Sequence, residues 1–141
     1  MALIACSCIL LVLLTSVVHY EVLRLMARGL PVFVFPPRAK LIVVIFGAFV
    51  AHFAEIALYA AAIYALIQVP GIGSLGDSNH PTWSQCLYFS AETYSSLGYG
   101  DVAPRGEMRL LAGMEVLNGL LLIGWSASYT YISMERFWKD P

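Results

Sequence analysis

Three apolar runs constrain this chain more than any other feature. Residues 2–18 contain no charged side chain, residues 41–67 contain only His52 and Glu55, and residues 110–134 contain only Glu115. A helix needs about 20 such residues to cross the hydrocarbon core of a bilayer. Inside that core every backbone N–H and C=O must be satisfied within the protein, so a spanning segment of this kind is helical. Only 12% of the 141 residues are charged, against about 25% in an ordinary soluble domain. These properties predict one all-α membrane domain over residues 1–141 and leave too little chain for a separate soluble domain. A net charge of −1 offers no basic stripe, which excludes a nucleic-acid surface.

The amino-terminal run lacks both the basic start and the small-x-small cleavage pattern of a signal peptide, so it reads as a retained helix over about 2–28. It ends among His19, Glu21, Arg24 and Arg28. Two arginines at a helix end anchor it at the headgroups, whereas a voltage sensor carries an array through the bilayer. Pro31, Pro36 and Pro37, with Phe33 and Phe35 between them, break the chain into an interfacial linker. Arg24, Arg28, Arg38 and Lys40 suit anionic lipid there. A second helix is expected over 40–68.

The loop at 69–82, rich in glycine and proline, has no lysine or arginine. Counting basic residues by side places it outside, with the amino terminus, and places Arg136, Lys139 and the carboxyl terminus in the cytoplasm. Thr82 is suited to cap a helix that starts at Trp83. That helix is too short to span and must be re-entrant, with the partial negative charge of its carboxyl end favouring a cation. A last helix follows over 106–138, anchored by Phe137 and Trp138.

Between these helices lies a polar segment, Glu92-Thr93-Tyr94-Ser95-Ser96-Leu97-Gly98-Tyr99-Gly100-Asp101. Glycines on both sides of Tyr99 permit an alternating backbone that turns successive carbonyls to one side, which makes a cation site. Residues 91–101 resemble the pore helix and filter of small prokaryotic potassium channels of the KcsA type. Ser96-Leu97-Gly98-Tyr99-Gly100-Asp101 is similar to that family's Thr-Val-Gly-Tyr-Gly-Asp. The resemblance implies a tetrameric potassium-channel pore fold with an extra amino-terminal helix, embedded in a prokaryotic inner membrane. It implies passive K⁺ conduction, no enzymatic activity, and no cofactor beyond K⁺ ions held by Ser96, Leu97, Gly98, Tyr99 and Gly100.

The resemblance also makes Glu92 and Asp101 a carboxyl pair sharing a proton behind the filter. Tyr88 and Phe89 become part of an aromatic cuff, and Gly119 becomes an inner-helix hinge or a close-packing contact. Two residues depart from the pattern. Ser96 keeps the hydroxyl of the usual threonine but loses the methyl that stiffens it, so Ser96→Thr is expected to tighten selectivity. Leu97 replaces valine and acts through packing. Both changes leave a weakly selective cation channel as an alternative, beside a non-conducting regulatory subunit.

His52 and Glu55 share one helical face at membrane depth, which marks a functional site by default. An interhelical hydrogen bond, a proton sensor and a metal site all use such a pair. Two ligands without a third argue against metal, and an intramembrane metalloenzyme built on His19, His52, Glu55 and the cysteines lacks a spaced ligand set. Cys6, Cys8 and Cys86 match no zinc pattern and read as buried small apolar residues.

Overall fold

In the computed structural model, which describes residues 1–30, 36–76 and 80–139, the chain forms four helices. They are α1 (Ala2–Gly29), α2 (Pro37–Ile67), α3 (Trp83–Tyr94) and α4 (Met108–Lys139). Pro31, Phe33, Phe35 and Asp77 lie outside the described residues. Helices α1, α2 and α4 are each long and apolar enough to cross a membrane. At 1.5 Å per residue, the 31 residues of α2 extend about 46 Å, beyond a hydrocarbon core of about 30 Å. The 12 residues of α3 extend only about 18 Å.

Local chemistry fixes the helix starts. Pro36 is extended and Pro37 opens α2, in the first turn where a missing N–H leaves no helical bond unmade. Arg38 and Lys40 therefore stand in the first turn of α2 and not in the linker. Thr82 caps α3 as its sequence predicts, and Gln85 completes the motif. The Gln85 amide donates to Thr82 Oγ1 at 3.3 Å, and the Thr82 amide donates to Gln85 Oε1 at 2.8 Å.

Buried positions form helical stripes. In α1 they are Ile4, Cys8, Leu11, Thr15, His19 and Leu23, three or four apart, so one face of α1 packs on α2 and α4. Val44, Ala51, Glu55, Tyr59 and Ile63 form the matching stripe of α2. Helix α3 sits between α2 and α4, and a shared core joins Ile4, Tyr59, Ile63, Phe89 and Leu111. Cys8 and Cys86 are buried, as their sequence context suggests, whereas Cys6 is exposed. Outside the core, Phe46, Phe49, Phe53 and Leu121 are each more than 60% exposed, surface that only lipid or another protein chain can cover.

The two ends of the bundle differ. At one end the loops on either side of α3 are tied together, with the Gly76 amide donating to Ala103 O at 2.8 Å and the Arg105 amide to Ser74 O at 2.9 Å. The Met1 amine is bonded to Glu107 at this end. At the other end Lys40 Nζ lies 5.9 Å over the ring of Phe137, joining the start of α2 to the end of α4.

Candidate functional site

Helix α3 runs directly into the glycine segment through a built cap. The Leu97 amide donates to Glu92 O at 2.9 Å and the Ser96 amide to Thr93 O at 3.0 Å, the paired bonds of a Schellman motif. That motif needs a left-handed residue, and Ser96 takes it with φ of 55°. Gly98 and Gly100 follow with φ of 58° and 80°, while Leu97 and Tyr99 keep negative φ. The hand of the backbone thus alternates across five residues, as a carbonyl row requires. A positive φ is an outlier for a β-branched residue, so serine suits this position better than the threonine of the pattern. A threonine here would take that φ under strain, a cost that stands beside the tighter selectivity expected of Ser96→Thr.

The residues around the segment are arranged differently from the pairings inferred from sequence. Asp101 accepts from the Tyr88 hydroxyl at 3.1 Å and from the Val102 amide at 3.1 Å. Among the described contacts no bond joins Asp101 to Glu92, and one oxygen of Glu92 is buried without a partner. The two acids still act on each other. Burial pushes the Glu92 carboxyl above its ordinary range and the charge of Asp101 adds to the push, while the Tyr99 amide and Tyr88 hydroxyl oppose it. The Tyr88 hydroxyl is itself pushed up to about 12, by desolvation first and then by its bond to Asp101. Phe89 turns into the hydrophobic core of the chain. It also lines a cavity of about 470 Å³ that lies between α3, the segment and α4, bounded further by Glu92, Gly98, Gly100 and Gly113.

A second polar site lies one turn away, and all four helices contribute to it. Glu55 of α2 is fully buried and accepts from three groups. His19 Nδ1 of α1 is 2.8 Å from Glu55 Oε1, and His52 Nδ1 is 3.2 Å from Glu55 Oε2. The hydroxyl of Tyr94, the last residue of α3, donates to Oε2 as well and lies 2.9 Å from His52 Nδ1. On the far side of its ring, His19 Nε2 is hydrogen-bonded to Ser126 Oγ of α4 at 3.2 Å. The interhelical bond read from His52 and Glu55 is present: His19 and Tyr94 reach Glu55 from other helices and Ser126 reaches His19, and of these the sequence grouped only His19 with Glu55, in the metal alternative. The one available signal was a lone histidine in the apolar face of the first helix.

Residues 39–136 match a family model described as an ion channel. The chain belongs to this ion channel pore-domain family. Among curated proteins and among solved structures, none matches the chain. The matched residues take in α2, α3, the glycine segment and nearly all of α4, and they leave out α1. His19 is thus a contribution of the extra helix to the interior of the ion channel domain.

Helix α4 closes the arrangement from the other side. Gly119 passes so near the end of α3 that an added Cβ would come within 3.0 Å of the Tyr94 carbonyl oxygen, which makes its position a close-packing contact. Beside it, Asn118 Nδ2 donates to Thr15 Oγ1 of α1 at 2.7 Å. Glu115 is fully buried and accepts from Ser90 Oγ, and its other oxygen has no partner among the described residues. Tyr94 therefore joins the ion channel's glycine segment to a polar interior shared by every helix.

Proposed function

We propose that four copies of this chain surround one axis and conduct K⁺ selectively and passively, with the carbonyls of Ser96, Leu97, Gly98 and Tyr99 and the Ser96 hydroxyl replacing the ion's water. The observation that carries this reading is the alternation of φ at Ser96, Gly98 and Gly100, set at the carboxyl end of a helix too short to span. Membership of the ion channel family supplies the broader class. Leu97 and Tyr99 are 58% and 69% exposed in one chain, and surrounding copies would cover them. One subunit contributes one strand of carbonyls, and a ring needs several.

The membrane is a prokaryotic inner membrane in this reading, with the glycine segment near the outer side. Arg28, Arg38, Lys40 and Arg136 gather at the opposite end of the bundle, the cytoplasmic one by the positive-inside rule, where they meet anionic headgroups. A weakly selective cation channel is the second reading, favoured by Ser96 and Leu97, which replace the threonine and valine of the pattern. Reversal potentials of the reconstituted protein in mixed Na⁺ and K⁺ separate the two. A shift that follows the K⁺ gradient alone supports selective conduction, and equal shifts for both ions support the weak channel.

A further inference from the structure

His52 and Glu55 give two metal ligands on one face of α2, and the structure brings a third from a different helix. The ligand atoms of His19, His52 and Glu55 lie within 4.8 Å of one another. His19 and Glu55 are fully buried, and His52 is largely so. His19 Nδ1 and His52 Nδ1 stand against the two oxygens of Glu55 at 2.8 and 3.2 Å. A tetrahedral ion with bonds of about 2.0–2.1 Å holds its ligands about 3.4 Å apart. Outward movements of a few tenths of an ångström would admit such an ion among these atoms.

We propose that His19, His52 and Glu55 bind one divalent transition-metal ion of the Zn²⁺ class, and that the ion acts on the glycine segment through Tyr94. Two imidazoles and one carboxylate suit Zn²⁺, Co²⁺ or Ni²⁺, whereas Ca²⁺ and Mg²⁺ demand six or more oxygen ligands. The surroundings are those of a prepared site. Ser126 Oγ stands 3.2 Å from the remaining nitrogen of His19, where it would accept that nitrogen's proton once Nδ1 binds the ion, the outer contact that ligating histidines make. The Trp125 ring packs 5.3 Å from the His19 ring. The Tyr94 hydroxyl, 2.9 Å from His52 Nδ1, stands where a fourth donor belongs. A cavity of about 430 Å³ borders His52, Tyr94 and Ser126, and its other walls are mostly apolar, Phe49, Phe53 and Ile123 among them.

Occupation would change what holds Tyr94. In the structure its hydroxyl is bonded to Glu55 and lies beside His52. An ion takes both partners into its own coordination and draws Tyr94 towards itself. Ser95 and Ser96 follow Tyr94 directly, so the movement enters the segment at the Schellman cap. The ion also ties α1 to the family domain through His19. This link to conduction rests on the proposed function, whereas the binding site does not.

The test uses the full chain in lipid nanodiscs, stripped with a chelator and titrated with Co²⁺ alone and then Zn²⁺. The site predicts one Co²⁺ per chain, visible d–d absorption of a four-coordinate ion, and its loss as Zn²⁺ displaces Co²⁺. His19→Gln and His52→Gln each keep hydrogen-bonding capacity, and each should weaken Co²⁺ binding by at least on the order of 100-fold, since even outer-shell losses cost 10–100-fold. Size-exclusion profiles matching the parent establish that these variants remain assembled. Absence of bound Co²⁺, binding unaffected by His19→Gln, or a thiolate-to-cobalt charge-transfer band lost in Cys6→Ser would each overturn the site. In liposomes, Zn²⁺ should change K⁺ flux of the parent and leave His19→Gln unchanged. Bound metal with unaltered parent flux overturns the link through Tyr94. A protein that binds Co²⁺ yet never conducts K⁺ contradicts the proposed function and leaves the site standing.

Discussion

Leu97 and Tyr99 keep more than half of their surface uncovered in a single chain, while His19, Glu55 and Tyr94, one turn away, are sealed from solvent. The two regions meet at one residue and are built by different means. The glycine segment is decided by backbone: a helix cap, alternating φ, and open space where a Cβ of Gly98 or Gly100 would stand. The Glu55 cluster is decided by side chains brought from four helices, and one chain completes it alone. The contrast separates a site that one chain closes by itself from a segment that one chain leaves open, which the proposed assembly would finish. A polar group buried in a membrane must be satisfied within the fold, whereas carbonyls meant for an ion must be left unpaired.

The largest effect should come from disturbing the junction of the two regions. Gly119→Ala places a methyl group against the Tyr94 carbonyl, which is backbone and has little room to yield. Overpacking of this kind costs about 1–3 kcal/mol. A clear fall in the melting temperature of the assembled protein is expected, and an unchanged melting curve would show that α4 does not press on α3 there.

A smaller effect distinguishes cap from ligand at Ser96. Threonine is strained at a φ of 55°, by on the order of 1 kcal/mol. Ser96→Thr should melt a few degrees lower than the parent, and Ser96→Gly should not. Equal stability of the threonine variant and the parent would mean that the left-handed turn is not kept in the assembled protein.

The smallest effect concerns pH. Burial and the Asp101 charge raise the Glu92 carboxyl above its ordinary value of 4.5, so the folded chain holds that proton more tightly than the unfolded one. Its contribution to stability is then complete below 4.5 and fades as pH rises through the raised value. The melting temperature of the parent, measured against Glu92→Gln, should fall as pH is raised from about 4.5 towards neutrality. A difference that stays flat with pH would remove Glu92 from any shared titration with Asp101.

The three long helices were legible because uninterrupted apolar length is a strong signal, and Thr82 marked the start of α3 by cap chemistry alone. The glycine segment was legible as a pattern of residue types. Its details were not: the positive φ of Ser96 follows from a cap whose bonds run back to Glu92 and Thr93. Tyr88 took the place expected of Glu92 at Asp101 because a hydroxyl one helical turn earlier reaches the same oxygen. The partners of Glu55 were hidden for a different reason. His19 meets Glu55 across 36 residues of chain and Ser126 meets His19 across 107, and only the relative rotation of α1, α2 and α4 decides which side chains face inward.

K⁺ flux into liposomes carrying the purified parent or Gly98→Ala tests the central claim most directly. Gly98 has a φ of 58° and open space at its Cβ, so alanine perturbs the alternating backbone without crowding a neighbour. K⁺ uptake by the parent that falls at least on the order of tenfold in Gly98→Ala, with assembly unchanged, is the predicted result. Equal K⁺ flux through both proteins, or none through the parent, would contradict a carbonyl pathway at Ser96, Leu97, Gly98 and Tyr99.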